Sequence, residues 1–337
     1  MRSPRNLFVR SFQRGAGMLS RVADNLYWMS RYLERAEHTA RLVDVELQLW
    51  LNQSPEVGAG RWRFLLEALR TPAPGEHVDP ASLVNTLVFS RANHSSIVSC
   101  ISIARENLRH VREQCSSEMW EQLNRLYLEV MENQPEDSWI LKSHNFFRAV
   151  QEGAHLFQGI TDSTMSHGEG WQYIQIGRYV ERAETMASLT GTHFKHMAHA
   201  PDKAVESAEY LAWVGLLRGC GAFEAYCKAY TADLRPDRIA EFLVLNASFP
   251  HTIRFSADAL ETAMKQIGAE VSSRRSARVE RIAGRMQATL AFGQIDEIMS
   301  GGLHAYLETV LRQCSQAHSA LYQTYITYPI EAALQAS

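Results

Sequence analysis

Proline and glycine are scarce in this chain, at 10 and 19 of 337 residues. Little therefore interrupts helices. No run alternates convincingly with period two, and no Asn-Gly or Asp-Gly is present to turn a hairpin, so a sheet protein is not expected. The five cysteines (Cys100, Cys115, Cys220, Cys227, Cys314) are odd in number, scattered and without Cys-x-x-Cys spacing. They read as reduced thiols of a cytoplasmic protein rather than a disulfide frame or a zinc site. No apolar run approaches the ~18 residues that a membrane span needs; the stretch 211–217 is short and ends at Arg218. The net charge of -3 offers no footprint for nucleic acid. Gly-x-Ser-x-Gly, a phosphate-binding loop and a Cys–His pair at a known spacing are all missing, and no cofactor motif stands in their place.

The first seventeen residues carry Arg2, Arg5, Arg10 and Arg14, no acid and no apolar core, so they are not a secretory signal. We expect residues 1–17 to be a loosely ordered basic arm and residues 18–330 to form one helical domain. With 46% hydrophobic and 21% charged residues, the chain can bury a large core.

What the chain does have is one phrase written twice. Arg31-Tyr-Leu-Glu34-Arg35-Ala-Glu37 returns as Arg178-Tyr-Val-Glu181-Arg182-Ala-Glu184, changed only at Leu33 against Val180. Such an internal repeat governs the fold. Around the first copy, Leu26, Met29, Leu33, Ala36, Ala40, Val43 and Leu47 keep three-four spacing, the seam of a helix packed on others. In the second copy Tyr173, Ile176, Val180, Ala183, Ala187, Thr190 and Phe194 take those places. Arg31, Glu34, Arg35 and His38 fall on the other side, where a two-layer protein would leave them in water.

Further helices follow in order. Trp62, Leu65, Leu66 and Leu69 mark a short one, and Asp79-Pro80 starts another. Asn93 or Ser95 caps a long helix whose polar side carries Arg105, Glu106, Asn107, Arg109 and Arg112. Ser116 starts the next, and Asn133–Asp137 is a loop. Helical stretches run over 139–165, 171–199, 205–230, 276–291 and 303–328. Phe242–Ile253 matches Thr86–Ile97, with Ser96 against Thr252, and Pro250 supports a helix start. The fold class is all-α: roughly a dozen helices in two similar halves, about 18–167 and 168–330, with the two motif helices facing each other.

The repeated charges have two readings. In one they are structural: Glu34 and Glu37 pair with His38 and Arg41 on their own helix, or the two motif helices share a buried Arg–Glu network. In the other they form a polar site, where arginines hold a carboxylate or phosphate and a glutamate binds an amine or moves a proton. Paired glutamates such as Glu34 with Glu181 would supply acid and base if their environments split their pKa values. A metal site is a lesser alternative. The Glu-x-x-His unit of helical bundles is missing, but His193, His196 and His199 stand three apart. Such histidines are also common at helix C-termini for dipole reasons. The aromatics Trp28, Tyr32, Tyr173 and Tyr179 read as core before they read as a substrate cage.

Met18-Leu-Ser-Arg-Val-Ala-Asp-Asn-Leu-Tyr-Trp28 and the motif that follows resemble the opening of the bacterial Alpha-E family. Ala104-Arg105-Glu106-Asn107, Trp120–Asn124, Gly177–Ala183 and Leu245–Phe255 resemble later signatures of it. One departure is His251, where the family commonly has Arg. The resemblance implies a helical protein encoded beside, or fused to, an ATP-grasp amidoligase, often with a transglutaminase-like peptidase, and a peptide or amino-acid substrate. It carries no known catalytic motif to this chain. The candidate catalytic residues are Glu34, Glu37, Glu181 and Glu184. The substrate-binding candidates are Arg31, Arg35, Arg178, Arg182, Arg105, Glu106 and Asn107. No cofactor or resident metal is expected. The leading expectation is an accessory or substrate-binding partner of the ligase; the alternative is an enzyme acting on an amide in its own right.

Overall fold

The computed structural model describes residues 18, 20–51, 55–72, 80–133, 139–198, 206–231, 233–271 and 276–327. The arm 1–17, Asp79, His199, most of the 133–137 loop and Tyr328 lie outside the described residues. Among the described residues there are fourteen α-helices and no strand. The first seven are α1 Ser20–Leu51, α2 Pro55–Ala68, α3 Pro80–Val84, α4 Ile97–His110, α5 Ser117–Glu132, α6 Trp139–Thr164 and α7 Glu169–Ala198. The rest are α8 Glu206–Gly219, α9 Phe223–Tyr230, α10 Pro236–Leu245, α11 Ile253–Val271, α12 Ser276–Ala291, α13 Ile295–Ser300 and α14 Leu303–Leu321.

The two motif helices α1 and α7 are the axis of the molecule and pack directly on each other. Helices α4, α6 and α8 cover α1; helices α11, α14 and α2 cover α7. The apolar seam of α1 is buried from Leu26 to Leu47, and that of α7 from Tyr173 to Ala187. The side expected to face water is buried as well: Arg31, Glu34, Glu37 and His38 on α1, and Arg178, Glu181 and Arg182 on α7. A central helix has no solvent face, so its charges must find partners inside the protein.

The two helices approach tightly beside the repeated phrase. A Cβ at Gly177 would lie 2.4 Å from the Tyr27 carbonyl oxygen and 3.1 Å from the Ser30 Cβ. Gly177 and Ser30 occupy the same place in the two copies. The Ser30 hydroxyl donates to the Ile174 carbonyl at 2.7 Å, tying the crossing point.

Helices α4 and α11 enter by the same device. The Ser96 hydroxyl accepts from the Ser99 amide and donates to the Ser90 carbonyl. The Thr252 hydroxyl accepts from the Phe255 amide and donates to the Asn246 carbonyl. The cap of α4 is thus Ser96, not Asn93 or Ser95; Asn93 instead turns the preceding loop by accepting from the Ser95 amide. Pro250 is not in the first turn of α11 but two residues before its cap. The helical stretch expected over 205–230 is present as two helices, α8 and α9, with Gly221 in a left-handed φ of 61° between them. The final helix changes to a π-helical turn at Tyr322–Ile326. Ser116 caps α5 as expected.

Candidate functional site

Where α1 and α7 cross, the two copies of the motif hold one another. Arg35 donates to Glu181 through Nε (2.5 Å to Oε1) and Nη2 (3.0 Å to Oε2). Arg182 donates to Glu34 through the same atoms at the same distances. Both are fork-to-fork pairs, the strongest geometry open to a guanidinium and a carboxylate. The guanidinium of Arg35 lies over the Tyr32 ring at 5.3 Å and that of Arg182 over Tyr179 at 5.4 Å, again at matching positions. Arg35 reaches on to the Ser95 hydroxyl ahead of α4, and Arg182 to the Pro250 carbonyl ahead of α11. Of the two structural readings, Glu34 takes the cross-helix one: its partner is Arg182, not His38.

Beyond these pairs the match fails. Arg31 is buried and makes three hydrogen bonds: Nε to Glu181 Oε2 at 2.7 Å, Nη2 to Glu184 Oε2 at 2.6 Å and Nη1 to the Tyr27 hydroxyl at 3.0 Å. Its counterpart Arg178 makes none of these. The second copy has Ile174 where the first has Tyr27. Glu37, the counterpart of Glu184, is already paired with Arg41 on its own helix and lies near His155. Arg41 has no counterpart, since Ser188 stands in its place.

A cavity of about 210 Å³ opens beside the network, between α1, α7 and the C-terminal end of α2. Arg35, His38, Glu181, Glu184 and Ser188 line it, together with the exposed Arg70. Arg70 follows α2 in the left-handed region, with φ 53°. The His38 Nε2 is buried and makes no hydrogen bond. Unpaired buried polar atoms are uncommon and ask for a reason.

The network divides the carboxylates. Burial by itself would push Glu181 up, but the guanidinium groups of Arg31 and Arg35 outweigh it and pull it down to about 2. Burial opposes ionisation of Glu37 too, and Arg41 and His155 overcome it, holding Glu37 well below the usual carboxylate range. Glu184 goes the other way. Burial raises it, Arg31 compensates only in part, and neighbouring Glu181 adds repulsion. Burial brings His38 down to about 4, against the pull of Glu37, so the imidazole is neutral at pH 7.

The other sequence candidates lie elsewhere. Arg178 and the amide of Gln175 line a separate cavity between α7 and α11. Arg105 donates to Asn124 and Glu106 and stacks near Trp120 and Tyr127, across the α4–α5 contact. Glu106 also pairs with Arg109 on the exposed side. None of Arg105, Glu106 and Asn107 lines the cavity beside the network. His193 packs against Phe64 and Trp213, and His196 pairs with Glu67. Among the described residues, no group of three or more His, Cys, Asp or Glu is arranged to hold a metal ion. Tyr173 is core, whereas Trp28, Tyr32 and Tyr179 are partly buried, Trp28 lying under Arg31 at 5.2 Å. Arg70 was missed from sequence, where no repeat or periodicity singles it out.

The profile of the Alpha-E family, described as a predicted alpha-helical domain with a conserved ER motif, matches residues 18–326. Glu-Arg stands at 34–35 and 181–182 of this chain, and in the fold the glutamate of each pair is held by the arginine of the other. Relatives include uncharacterized proteins of Mycobacterium bovis and of two strains of Mycobacterium tuberculosis, each 22% identical over 316 residues. The match covers 86% of this chain and 35% of each of theirs. The chain thus spans about a third of the length of the curated relatives it matches. No solved structure matches it.

Proposed function

We propose that this chain, which belongs to the Alpha-E family, is an accessory, substrate-binding partner of an ATP-grasp enzyme that forms amide bonds. The observation that carries this reading is the cavity beside the network, lined by the exposed Arg70, by Arg35, Glu181 and Glu184, and by His38, whose Nε2 is buried and unpaired. Arg70 suits a carboxylate. Glu184 and the His38 imidazole suit an amine or amide within. A peptide or amino acid offers both. The relatives carry this domain within much longer chains, which supports a domain that works beside another. A transglutaminase-like peptidase is a further expected partner, on the resemblance alone.

The resting state of the carboxylates favours binding over chemistry. Glu34 is held by Arg182, and Glu181 and Glu37 are fixed as anions, so none is poised to move a proton. Glu184 alone is raised toward the range of an acid–base group. It is the residue on which a second reading, an enzyme acting on an amide in its own right, would rest.

Size-exclusion chromatography of this protein with the ATP-grasp protein of its own genome tests the partnership. Co-elution with a stable stoichiometry is the expected result. Separate elution at about 10 μM of each, with turnover of the ligase indifferent to this chain, would overturn it.

A further inference from the structure

Arg178 is the one motif arginine that the fold leaves without an acid. It is buried, at 6% exposure, and among the described residues no carboxylate lies at ion-pair distance from it. Its hydrogen bond is a long one, Nη1 to Gln175 Oε1 at 3.4 Å on its own helix. Gln175 is buried too, and its Nε2 makes no hydrogen bond. A buried amide donor without a partner beside a buried cation without a carboxylate is a costly arrangement unless something else meets them.

Both line a cavity of about 420 Å³ between α7 and α11, a volume in the range of small-molecule sites. Tyr179 and Phe255 form an aromatic wall, with ring centroids 5.9 Å apart. Two carboxylates also line it, the exposed Asp162 and the half-buried Asp258. Each accepts a neutral hydrogen bond, Asp162 from Trp171 and Asp258 from Gln287. The nearest cation to Asp258 is Arg254 at 3.8 Å. The cavity thus sets a buried cation and a buried amide against two more exposed carboxylates.

The two copies of the repeat differ at the residues beside this arginine. Trp28 and Tyr27 cover Arg31 in the first copy; Gln175 and Ile174 replace them beside Arg178. Arg41 occupies Glu37, the acid that would have answered Arg178 by analogy with Arg31 and Glu184. We infer that the cavity between α7 and α11 binds a free α-amino acid, its carboxylate on Arg178 and Gln175 and its ammonium toward Asp162 and Asp258. This site is distinct from the one beside the network and does not depend on the ligase reading.

Calorimetric titration of the whole protein with a panel of L-amino acids, their N-acetyl derivatives and acetate tests the inference. At least one free amino acid binds. Its N-acetyl derivative and acetate bind at least about tenfold more weakly, since each lacks one charge-assisted contact. Arg178→Met weakens binding at least about tenfold and raises the urea midpoint of the ligand-free protein, because it removes an unpaired buried charge. Thr262→Trp, at the exposed edge of the cavity, blocks binding without touching Arg178 and decides the matter if Arg178→Met does not fold. Arg148→Met, an exposed residue paired with Glu152 that lines neither cavity, leaves binding unchanged. No binding by any amino acid at millimolar concentration would overturn the inference. So would full affinity in folded Arg178→Met or in Thr262→Trp, or equal binding of acetate.

Discussion

Glu34 accepts from Arg182 at 2.5 and 3.0 Å, and Glu181 accepts from Arg35 at the same two distances. Each helix therefore supplies both the acid and the base that hold it to the other. Exchanging the role of donor and acceptor in this way fixes the register of the crossing: a slide of one residue would break both forks together.

Such a pair is hard to break singly and easier to remove whole. Glu34→Leu or Arg182→Met should each cost about 3–5 kcal/mol, because each leaves a charge buried without its partner. The double change Glu34→Leu with Arg182→Met should recover much of that. Urea unfolding of the four proteins of this double-mutant cycle checks it. A coupling near zero would mean that the forks contribute nothing to stability.

The crossing point should be equally intolerant of added bulk. Gly177→Ala places a methyl 2.4 Å from a backbone oxygen, which α1 and α7 can relieve only by moving apart. A loss of about 1–3 kcal/mol is expected. The same change at Gly159, where nothing stands within 4 Å, should be neutral or stabilising. Thermal unfolding of the two variants side by side distinguishes them.

The repeated phrase was plain in the sequence, and so were the all-helical class and the facing of the two motif helices. The partners of the charges were not. Spacing allowed Glu34 to meet His38 on its own helix as readily as Arg182 on the other, since both geometries preserve the same residues. Arg105, Glu106 and Asn107 read as part of one site only by resemblance; in the fold none of them lines the cavity, and Arg105 instead reaches Asn124 on α5. The cavity was hidden for a different reason. Arg70 comes from a helix end with no motif around it, and a cavity is a property of three helices at once.

Acid should weaken the fold in two steps. An unfolded histidine takes up a proton below about 6.5, whereas buried His38 does so only near 4; stability is therefore lost as pH falls between those values. Burial and Arg182 depress His251 in the same sense. Below about 4.5 the carboxylates follow. Glu181, held at about 2, contributes stability above its ordinary value that disappears as pH falls toward 2. Glu184, raised by burial, acts in the opposite sense and offsets part of this. The urea midpoint should drop between pH 7 and 5, and drop less in His38→Gln. An identical slope in that variant would remove His38 from the account.

Arg70 should separate stability from function. It is exposed and holds a left-handed φ of 53°, a conformation that glycine adopts more easily. Arg70→Gly should leave the unfolding free energy from urea titration unchanged or raise it by about 1 kcal/mol or less, while weakening whatever the cavity binds. A marked loss of stability would instead make Arg70 a structural residue.

The most direct measurement is ATP turnover by the ATP-grasp protein of the same genome, across amino acids and short peptides, with wild-type chain, with Arg70→Gly and with none. The account predicts turnover that requires this chain for at least one substrate and falls at least about tenfold with Arg70→Gly, the loss of one charge-assisted contact. Turnover that is the same with and without the chain would contradict it.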